Sequence, residues 1–375
     1  MTWKIPLFKM YWDDEDILQV NAAIKSGMNW ASGPEVIQFE QAIAEYIGSK
    51  YCLSFNSGTS ALHAALIAHD IKKDDEVIVP SFTFIATANA PKFVGAKPVF
   101  ADIKESTLGL NPESVIENIT PKTKAIIPVH YGGCPCWVRE LREIADDHNL
   151  VLIEDAAEAF GASIDGKMVG SYGDSAMLSF CQNKVITTGE GGALVTDSRD
   201  LYDKVKLVRS HGRLETSDYF TSSECMDYVT LGYNFRLSNI SAALGLAQLR
   251  KVEAIIDMRT RIAEMYTSLL RTNVPVVSPM SAPKGYKHVH QLYSVRVPDR
   301  DGLMQFLTEQ GIMSKIYFPP VHRTHYYHHE LGYLVSLPIT ERVAKDIVSL
   351  PIYPGMPSED VEQVVRVILE YYGGN

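Results

Sequence analysis

The chain has 375 residues, of which 46% are hydrophobic and 21% charged, and its formal net charge is −10. This composition is typical of a globular protein, and the absence of any apolar run near 18 residues argues against a membrane-spanning segment. Lysine and arginine do not form basic runs, so nucleic acid is not expected as a partner. A small anionic ligand would need a dedicated local site.

The first residues, MTWKIPLFKMYWDDED, lack the apolar stretch and cleavage pattern of a secretory signal, which favours a cytoplasmic location. The five cysteines are odd in number and scattered, so a disulfide framework is not expected. Cys134 and Cys136 lack both the usual metal-site spacing and a second Cys/His pair, so no metal is predicted there.

Helical and strand patterns alternate along the first half of the chain. Apolar residues from Val36 to Ile47 have helical spacing, and a strand-like run follows at residues 76–80. Similar runs rich in Val and Ile recur at residues 97–102, 124–130, 150–155, 176–180 and 192–197. Short strands separated by helices predict an α/β fold whose mostly parallel, mixed sheet is flanked by helices.

The pattern changes after Ser238, which is placed to cap one long helix, NISAALGLAQLRKVEAIIDMRTRIAEMYTSLL. Residues 290–297 then predict a strand, and Ser358 begins a final helix. We expect a large domain at 1–250 that holds the ligand and a smaller C-terminal α/β domain at 251–375.

A loop rich in hydroxyl groups, NSGTSAL at 56–62, follows a strand-like segment and opens an apolar helix. Free backbone N–H groups and the helix dipole bind anions at such a position, and Ser57, Thr59 and Ser60 add hydroxyl groups. The same residues also suit an ordinary helix cap. The loop alone therefore does not identify a ligand.

Two acidic residues, Glu154 and Asp155, end the run LVLI, at the edge where an open α/β sheet has its ligand crevice. They could equally cap the following helix. Ser179 and Phe180 end the next strand and should reach the same edge, and Lys184 lies five residues beyond Ser179. Three chain segments are thus expected at one opening.

Most lysines are solvated, but Lys184 precedes Gly189, Gly191 and Gly192, which allow the backbone to pass close to a cofactor. An anion loop, a strand-end aspartate and a lysine together indicate a pyridoxal phosphate site. The lysine forms the Schiff base, for which a primary amine is required. Asp155 keeps the pyridine nitrogen protonated.

Six motifs follow one another along the chain: ASGPEVIQFE, NSGTSALHAAL, DEVIVPSFTFIATANA, IEDAAEAFGA, GDSAMLSFCQNKVITTGEGG and LGYNFRLSNISAALGLAQL. Together they resemble the nucleotide-sugar aminotransferases of the DegT/StrS family, within the fold-type-I pyridoxal phosphate enzymes. The resemblance runs from about residue 30 to the end. It implies a large cofactor-binding domain and a smaller C-terminal domain.

The resemblance implies that Lys184 forms the Schiff base with pyridoxal 5'-phosphate and that Asp155 pairs with the pyridinium nitrogen. It also implies that Gly58, Thr59 and Ser179 bind the cofactor phosphate.

By the same resemblance Phe84 stacks on the cofactor ring, whereas without it a phenylalanine in this apolar segment would be assigned to the core. Asn234 resembles an asparagine that reaches the phosphate of the neighbouring subunit, which implies a homodimer with a shared active site; its alternative is a turn residue.

His322 matches a histidine near the sugar nucleotide. The nearby His325, His328 and His329 could suggest a metal, but a solvated histidine-rich loop is favoured.

The implied reaction transfers an amino group from glutamate to a nucleotide-linked keto-deoxy sugar, with pyridoxamine phosphate as the intermediate form of the cofactor, in surface-polysaccharide or amino-sugar biosynthesis. Glu158 replaces the commoner Gln or His beside the ring hydroxyl. Glu158 and Asn183 match a subgroup that includes GDP-perosamine synthase, which favours carbon 4 of a 4-keto-6-deoxy sugar. Residues 130–141 and 210–220 depart from that pattern.

Two other functions stay open. A related sugar dehydratase is disfavoured because such relatives carry His at the position of Lys184. A regulatory protein that binds pyridoxal phosphate without catalysis is disfavoured because it would not need Asp155, Lys184 and Asn234 together.

Overall fold

The computed structural model describes residues 3–214, 219, 222–273, 278–279 and 281–373. Part of the segment 210–220, which departs from the perosamine-type pattern, lies outside these residues. The predicted α/β fold is confirmed. None of the helices in the described ranges has both the length and the apolar character needed to cross a bilayer.

A seven-stranded mixed sheet forms the centre of the larger lobe. Its strands, in spatial order, are β1 (Tyr51–Phe55), β9 (Gly192–Thr196), β8 (Ser175–Ser179), β5 (Val151–Asp155), β4 (Thr123–Ile126), β2 (Glu76–Pro80) and β3 (Lys97–Ala101). The five strands from β8 to β3 are parallel, and β9 is antiparallel to both of its neighbours. The parallel strands therefore end at one edge, as predicted for the ligand crevice.

Helices cover both faces of this sheet. They are α1 (Asp14–Lys25), α2 (Pro34–Ile47), α3 (Gly58–Ala68), α4 (Ile85–Phe93), α5 (Pro112–Glu117), α6 (Val138–Asp147), α7 (Arg199–Arg209) and α8 (Asn239–Arg250). Leu62 of α3 and Leu201 of α7 belong to one apolar cluster, whereas Phe39 of α2 and Leu246 of α8 belong to another. Burial on both faces explains why the strands are almost continuously apolar.

The smaller lobe has its own antiparallel sheet and core. Its elements are α9 (Val252–Asn273), β10 (Ser278–Pro279), β12 (Tyr293–Arg296), α10 (Arg300–Glu309), α11 (Pro338–Asp346), β13 (Ile347–Leu350) and α12 (Ser358–Gly373). The sheet order is β10-β12-β13. A third, small sheet joins β11 (Tyr286–Lys287) to the hairpin formed by β6 (Ser163–Ile164) and β7 (Lys167–Met168).

Ser238 caps α8 by accepting a hydrogen bond from the Ser241 N–H, but the long helix expected after it divides at Lys251. The Lys251 ammonium lies 2.5 Å from a carboxylate oxygen of Asp13 and 2.8 Å from one of Asp16, at the start of α1. No proline or glycine marks this break. At the break, Lys251 contacts a segment more than 200 residues earlier, and local periodicity does not report such a contact.

The chain passes between the lobes several times. Ile5 lies in the core of the smaller lobe, and α9 begins in the larger core with Ile256 and continues into the smaller one with Ile262. Tyr327 packs in the larger core again, and the Thr340 side chain donates to a carboxylate oxygen of Asp102. The division at residue 250 thus stays a prediction, and packing crosses it in several places.

Candidate active site

A cleft of about 660 Å³ lies at the carboxyl edge of the parallel strands. It is lined by residues from the larger lobe at 57–59, 83–87, 155–158 and 177–190, and by 315–324 from the segment that leaves the smaller lobe. Seven of the residues predicted for the site line it: Gly58, Thr59, Phe84, Asp155, Glu158, Ser179 and Lys184.

The loop before α3 forms one end of the cleft. The Ser57 hydroxyl caps the helix by accepting a hydrogen bond of 3.1 Å from the Ser60 N–H. Gly58 and Thr59 begin the helix, where backbone N–H groups have no intrahelical acceptor. A Cβ on Gly58 would lie 2.8 Å from the Met177 Sδ, so a larger residue here would require the Met177 side chain to shift. This end of the cleft is built to bind an anion.

The glycines after Lys184 were predicted to allow close passage of the backbone, and Gly192 shows where this happens. A Cβ there would lie 2.5 Å from the backbone N of Gly58 and from the carbonyl carbon of Ser57. β9 therefore runs directly against the anion loop, and Gly192 is the residue that permits this approach.

Asp155 lies buried at the floor of the cleft. One carboxylate oxygen accepts a hydrogen bond of 2.7 Å from the Thr87 hydroxyl, and the other accepts one of 3.2 Å from the Ala157 N–H. Burial raises the pKa of Asp155, although these bonds and the charge of Lys184 oppose the rise. A ligand that places a cationic nitrogen here would relieve the cost of the buried charge. Thr87 was not predicted, because a threonine in an apolar run carries no signal of its own.

Glu154 has a different role because successive strand residues point to opposite faces. Its carboxylate accepts hydrogen bonds of 2.7–2.8 Å from the N–H groups of Gly170, Tyr172 and Gly173, and His130 Nε2 lies 3.0 Å away. Burial would raise the pKa of Glu154, but these bonds lower it overall. Glu154 therefore anchors the loop at 170–173 and does not line the cleft.

Lys184 is not a surface lysine. Its side chain is only 14% exposed, and its Nζ lies 3.4 Å from Glu158 Oε1. Glu158 Oε2 accepts a hydrogen bond of 2.8 Å from the Gly132 N–H, which fixes the carboxylate. The amine thus lines the cleft with little exposure to solvent, which suits a nucleophile, and the adjacent carboxylate can stabilise it when it carries a proton.

Phe84 is 56% exposed and stands at the N-terminus of α4, with its ring centroid 5.6 Å from that of Phe318. An exposed ring on the wall of a cleft does not serve the core. It provides an apolar face for a flat ligand.

Two contacts from distant segments hold residues that line the cleft, and sequence reasoning missed both. The Gln291 side-chain amide donates to the backbone carbonyl of Asn183, and the Tyr131 hydroxyl donates to the Tyr317 carbonyl. Asn183 and Tyr317 both line the cleft. The partners lie more than a hundred residues apart, so no local pattern could have found them.

Asn234 does not line the cleft of its own chain. Its side chain is exposed, and its carbonyl accepts a hydrogen bond of 3.3 Å from the Asn56 side-chain amide, next to the anion loop. This location leaves the side chain available to a second copy of the chain.

His322, expected near the sugar nucleotide, is fully buried instead and does not line the cleft. Its Nδ1 lies 2.6 Å from the Ser81 hydroxyl and its Nε2 lies 3.3 Å from a carboxylate oxygen of Glu341. These two partners hold the imidazole inside the protein, and Thr324 lines the cleft nearby. Within the described ranges, no three His, Cys, Asp or Glu side chains are grouped to hold a metal ion, the histidines at 325–329 included.

The arrangement fits pyridoxal phosphate. An anion loop, an exposed aromatic face, a buried carboxylate and a partly buried amine line one cleft. These groups match the phosphate, the ring, the ring nitrogen and the aldehyde of that cofactor.

Comparison with known proteins also indicates an aminotransferase. The model of the DegT/DnrJ/EryC1/StrS aminotransferase family matches residues 11–369. GDP-perosamine synthase of Caulobacter vibrioides is 40% identical over 347 residues, which cover 90% of this chain and 91% of that protein.

Two solved structures are similar over nearly the whole chain. The aminotransferase PseC of Helicobacter pylori, involved in the biosynthesis of pseudoaminic acid, superposes with a TM-score of 0.92 at 29% identity and covers 100% of both chains. The PMP form of Spr1654 from Streptococcus pneumoniae superposes with a TM-score of 0.91 at 26% identity and covers 97% of this chain and 98% of its own.

Proposed function

This chain belongs to the DegT/DnrJ/EryC1/StrS aminotransferase family, and we propose that it transfers an amino group from glutamate to a nucleotide-linked 4-keto-6-deoxy sugar with pyridoxal 5'-phosphate as cofactor. It is a sugar aminotransferase. One observation carries the finer proposal: the amine of Lys184, the buried carboxylate of Asp155 and the N-terminus of α3 open into the same cleft.

The cofactor would be held by residues already described. The N–H groups of Gly58 and Thr59 and the hydroxyl of Ser179 bind its phosphate, and Phe84 covers one face of its ring. The Asp155 carboxylate, fixed by Thr87, holds a proton at the ring nitrogen. When bound, pyridoxal phosphate supplies an electron-accepting ring and an aldehyde carbon that exchanges with amines.

Lys184 carries the protons of the reaction. In the first half-reaction its Nζ would take a proton from the carbon of glutamate that bears the amino group and pass it to the aldehyde-derived carbon of the cofactor; in the second half it would move a proton from that carbon to the sugar carbon that receives nitrogen. Glu158, 3.4 Å away, would stabilise the ammonium each time Lys184 holds the proton. The fixed position of Glu158 on the Gly132 N–H keeps this partner in place.

The choice of carbon 4 rests on Glu158 and Asn183, the two residues of the perosamine-type subgroup, and on the 40% identity to a GDP-perosamine synthase. We further infer that two copies of the chain complete each site. The exposed Asn234 beside the anion loop supports this inference, because its side chain has no role in its own cleft.

The test is a substrate panel. Cofactor-loaded protein is incubated with nitrogen-15-labelled glutamate and with GDP-, UDP- and dTDP-linked 4-keto-6-deoxy sugars, and with a 3-keto isomer of each. We expect label in one 4-amino sugar, detected by mass spectrometry. A product that has lost a hydroxyl group without gaining nitrogen would identify a dehydratase, and cofactor binding without turnover of any sugar would identify a regulatory protein.

A further inference from the structure

Lys315 stands on the wall of the cleft, in the segment that leaves the smaller lobe. Its backbone is fixed by two hydrogen bonds with Ser349 of β13, of 3.2 Å from its N–H and 2.9 Å to its carbonyl. Its ammonium lies 5.0 Å from the centre of the Tyr317 ring. A flexible side chain is thus carried on a fixed base at an exposed position of the cleft.

The charges that line the cleft leave Lys315 without a carboxylate. The acidic residues there are Asp155, Glu158 and Glu190, and the only other cation in the described lining, Lys184, pairs with Glu158. No ion pair within 4.0 Å forms at Lys315 in the described part of the chain. Among the described lining residues, Lys315 is therefore the cation without a carboxylate partner that a dianionic substrate meets on approaching a chain of net charge −10.

The position of Lys315 favours contact with the diphosphate end of a nucleotide-linked sugar over contact with the end that reacts. The reacting carbon must approach Lys184, whose side chain is only 14% exposed. In a nucleotide-linked sugar the diphosphate is attached across the ring from carbon 4, so it lies towards the exposed part of the cleft. The α-carboxylate of glutamate, by contrast, is bonded to the reacting carbon and stays near Lys184.

We propose that Lys315 binds the diphosphate of the nucleotide-linked sugar and so helps to set the class of acceptor. This inference rests on the proposed function. The N-terminus of α3 is reserved for the cofactor phosphate, so the second anion requires a second site. A Lys ammonium suits a diphosphate because it offers three donors as a point charge.

The experiment compares Lys315→Gln and Lys315→Arg with Lys345→Gln, a control at an exposed lysine of α11 outside the cleft. The two half-reactions are measured separately, first with glutamate and then with the keto-sugar that the wild-type enzyme accepts. We expect Lys315→Gln to raise the KM for the sugar about tenfold, as for one lost charge-assisted contact at a hydrated site. The KM for glutamate should stay unchanged, Arg should restore most of the loss, and added salt should weaken sugar binding more in the wild type than in Lys315→Gln.

A higher KM for glutamate in Lys315→Gln would show that the cation binds the donor's side-chain carboxylate, and would overturn the proposal. So would an unchanged KM for both substrates. Binding of GDP, UDP and dTDP is measured in parallel by calorimetry. If the wild type transferred nitrogen to no keto-sugar but bound a nucleoside diphosphate through Lys315, the proposed function would fail while the diphosphate site stood.

Discussion

The Nζ of Lys184 lies 3.4 Å from the Oε1 of Glu158, and both side chains are largely buried. The Lys184 amine therefore has a fixed carboxylate beside it where a surface lysine would have water. Glu158 is fixed in turn by the Gly132 N–H. Low exposure to solvent suits the reaction of the amine with a carbonyl, and the carboxylate can stabilise the amine when it carries a proton.

Lys184→Ala should lower turnover by at least about a thousandfold, since it removes both the nucleophile and the proton carrier. Steady-state rates with the accepted keto-sugar measure this. Lys92→Ala, at an exposed lysine of α4, should retain wild-type turnover. Turnover of Lys184→Ala near the wild-type rate would disprove the assignment.

Glu158→Gln keeps an oxygen for the Gly132 N–H but removes the charge beside Lys184. We expect kcat to fall about tenfold with little loss of thermal stability, because a general acid–base partner contributes on that scale or more. Glu158→Ala should lose the same activity and also lower the Tm, since the Gly132 N–H is left unpaired. Equal kcat in Glu158→Gln and the wild type would assign Glu158 a purely structural role.

Asp155→Asn should raise the stability of the cofactor-free protein and lower its affinity for the cofactor. Burial raises the folded-state pKa of Asp155, so the charged form opposes folding, and this cost appears as the pH rises from the unfolded pKa through the folded one. At pH 7 the cofactor-free variant should therefore melt above the wild type, and this gain should shrink towards pH 4. Cofactor affinity should fall, because the ring nitrogen loses its anionic partner. A variant that binds the cofactor normally would contradict the role of Asp155.

Two glycines form a matched pair: Gly189 in the loop before β9, and Gly192 at the first residue of β9. Gly192→Ala would place a Cβ 2.5 Å from the backbone of Ser57 and Gly58, so the anion loop must shift, and we expect a loss of cofactor affinity together with about 2–3 kcal/mol of stability. Gly189 has a positive φ of 84° but no heavy atom near its Cβ position, so Gly189→Ala should cost only the backbone strain of about 1–2 kcal/mol. Denaturant unfolding and cofactor titration measure both. Equal cofactor affinity in the two variants would show that the close approach of Gly192 does not shape the loop.

Gln291→Ala removes the donor to the Asn183 carbonyl, the residue before Lys184. We expect kcat to fall several-fold while the KM for the keto-sugar changes little, because the loop that carries the amine loses its anchor. Gln291→Glu is the contrasting variant, since a carboxylate cannot donate to a carbonyl and should be at least as impaired. An unaffected kcat in both would exclude this positioning role.

The sequence was sufficient for the residues whose roles depend on local pattern. Ser57 and Ser238 were identifiable as helix caps, and Asp155 as a strand-end carboxylate at the ligand edge. The cofactor site required three such signals to coincide. Family resemblance was needed for Phe84, because composition alone assigns a phenylalanine to the core.

The features that the sequence did not predict depend on contacts between distant segments. Lys251, where the helix divides, pairs with Asp13 and Asp16, and the buried His322 contacts Ser81. Neither pairing leaves a trace in local periodicity. The contact of Gln291 with Asn183 was not predicted for the same reason, because the sequence around Gln291 predicts only a strand.

The repeated passage of the chain between the lobes has a mechanical consequence. A lobe joined by one linker can swing freely, but here Ile5, α9, the segment around Tyr327 and the Thr340–Asp102 contact all tie the two bodies together. The segment that carries Lys315 is therefore held in position relative to β5, the strand that carries Asp155. A wall held by this many contacts has less freedom to lose when a substrate binds, which lowers the entropic cost of binding.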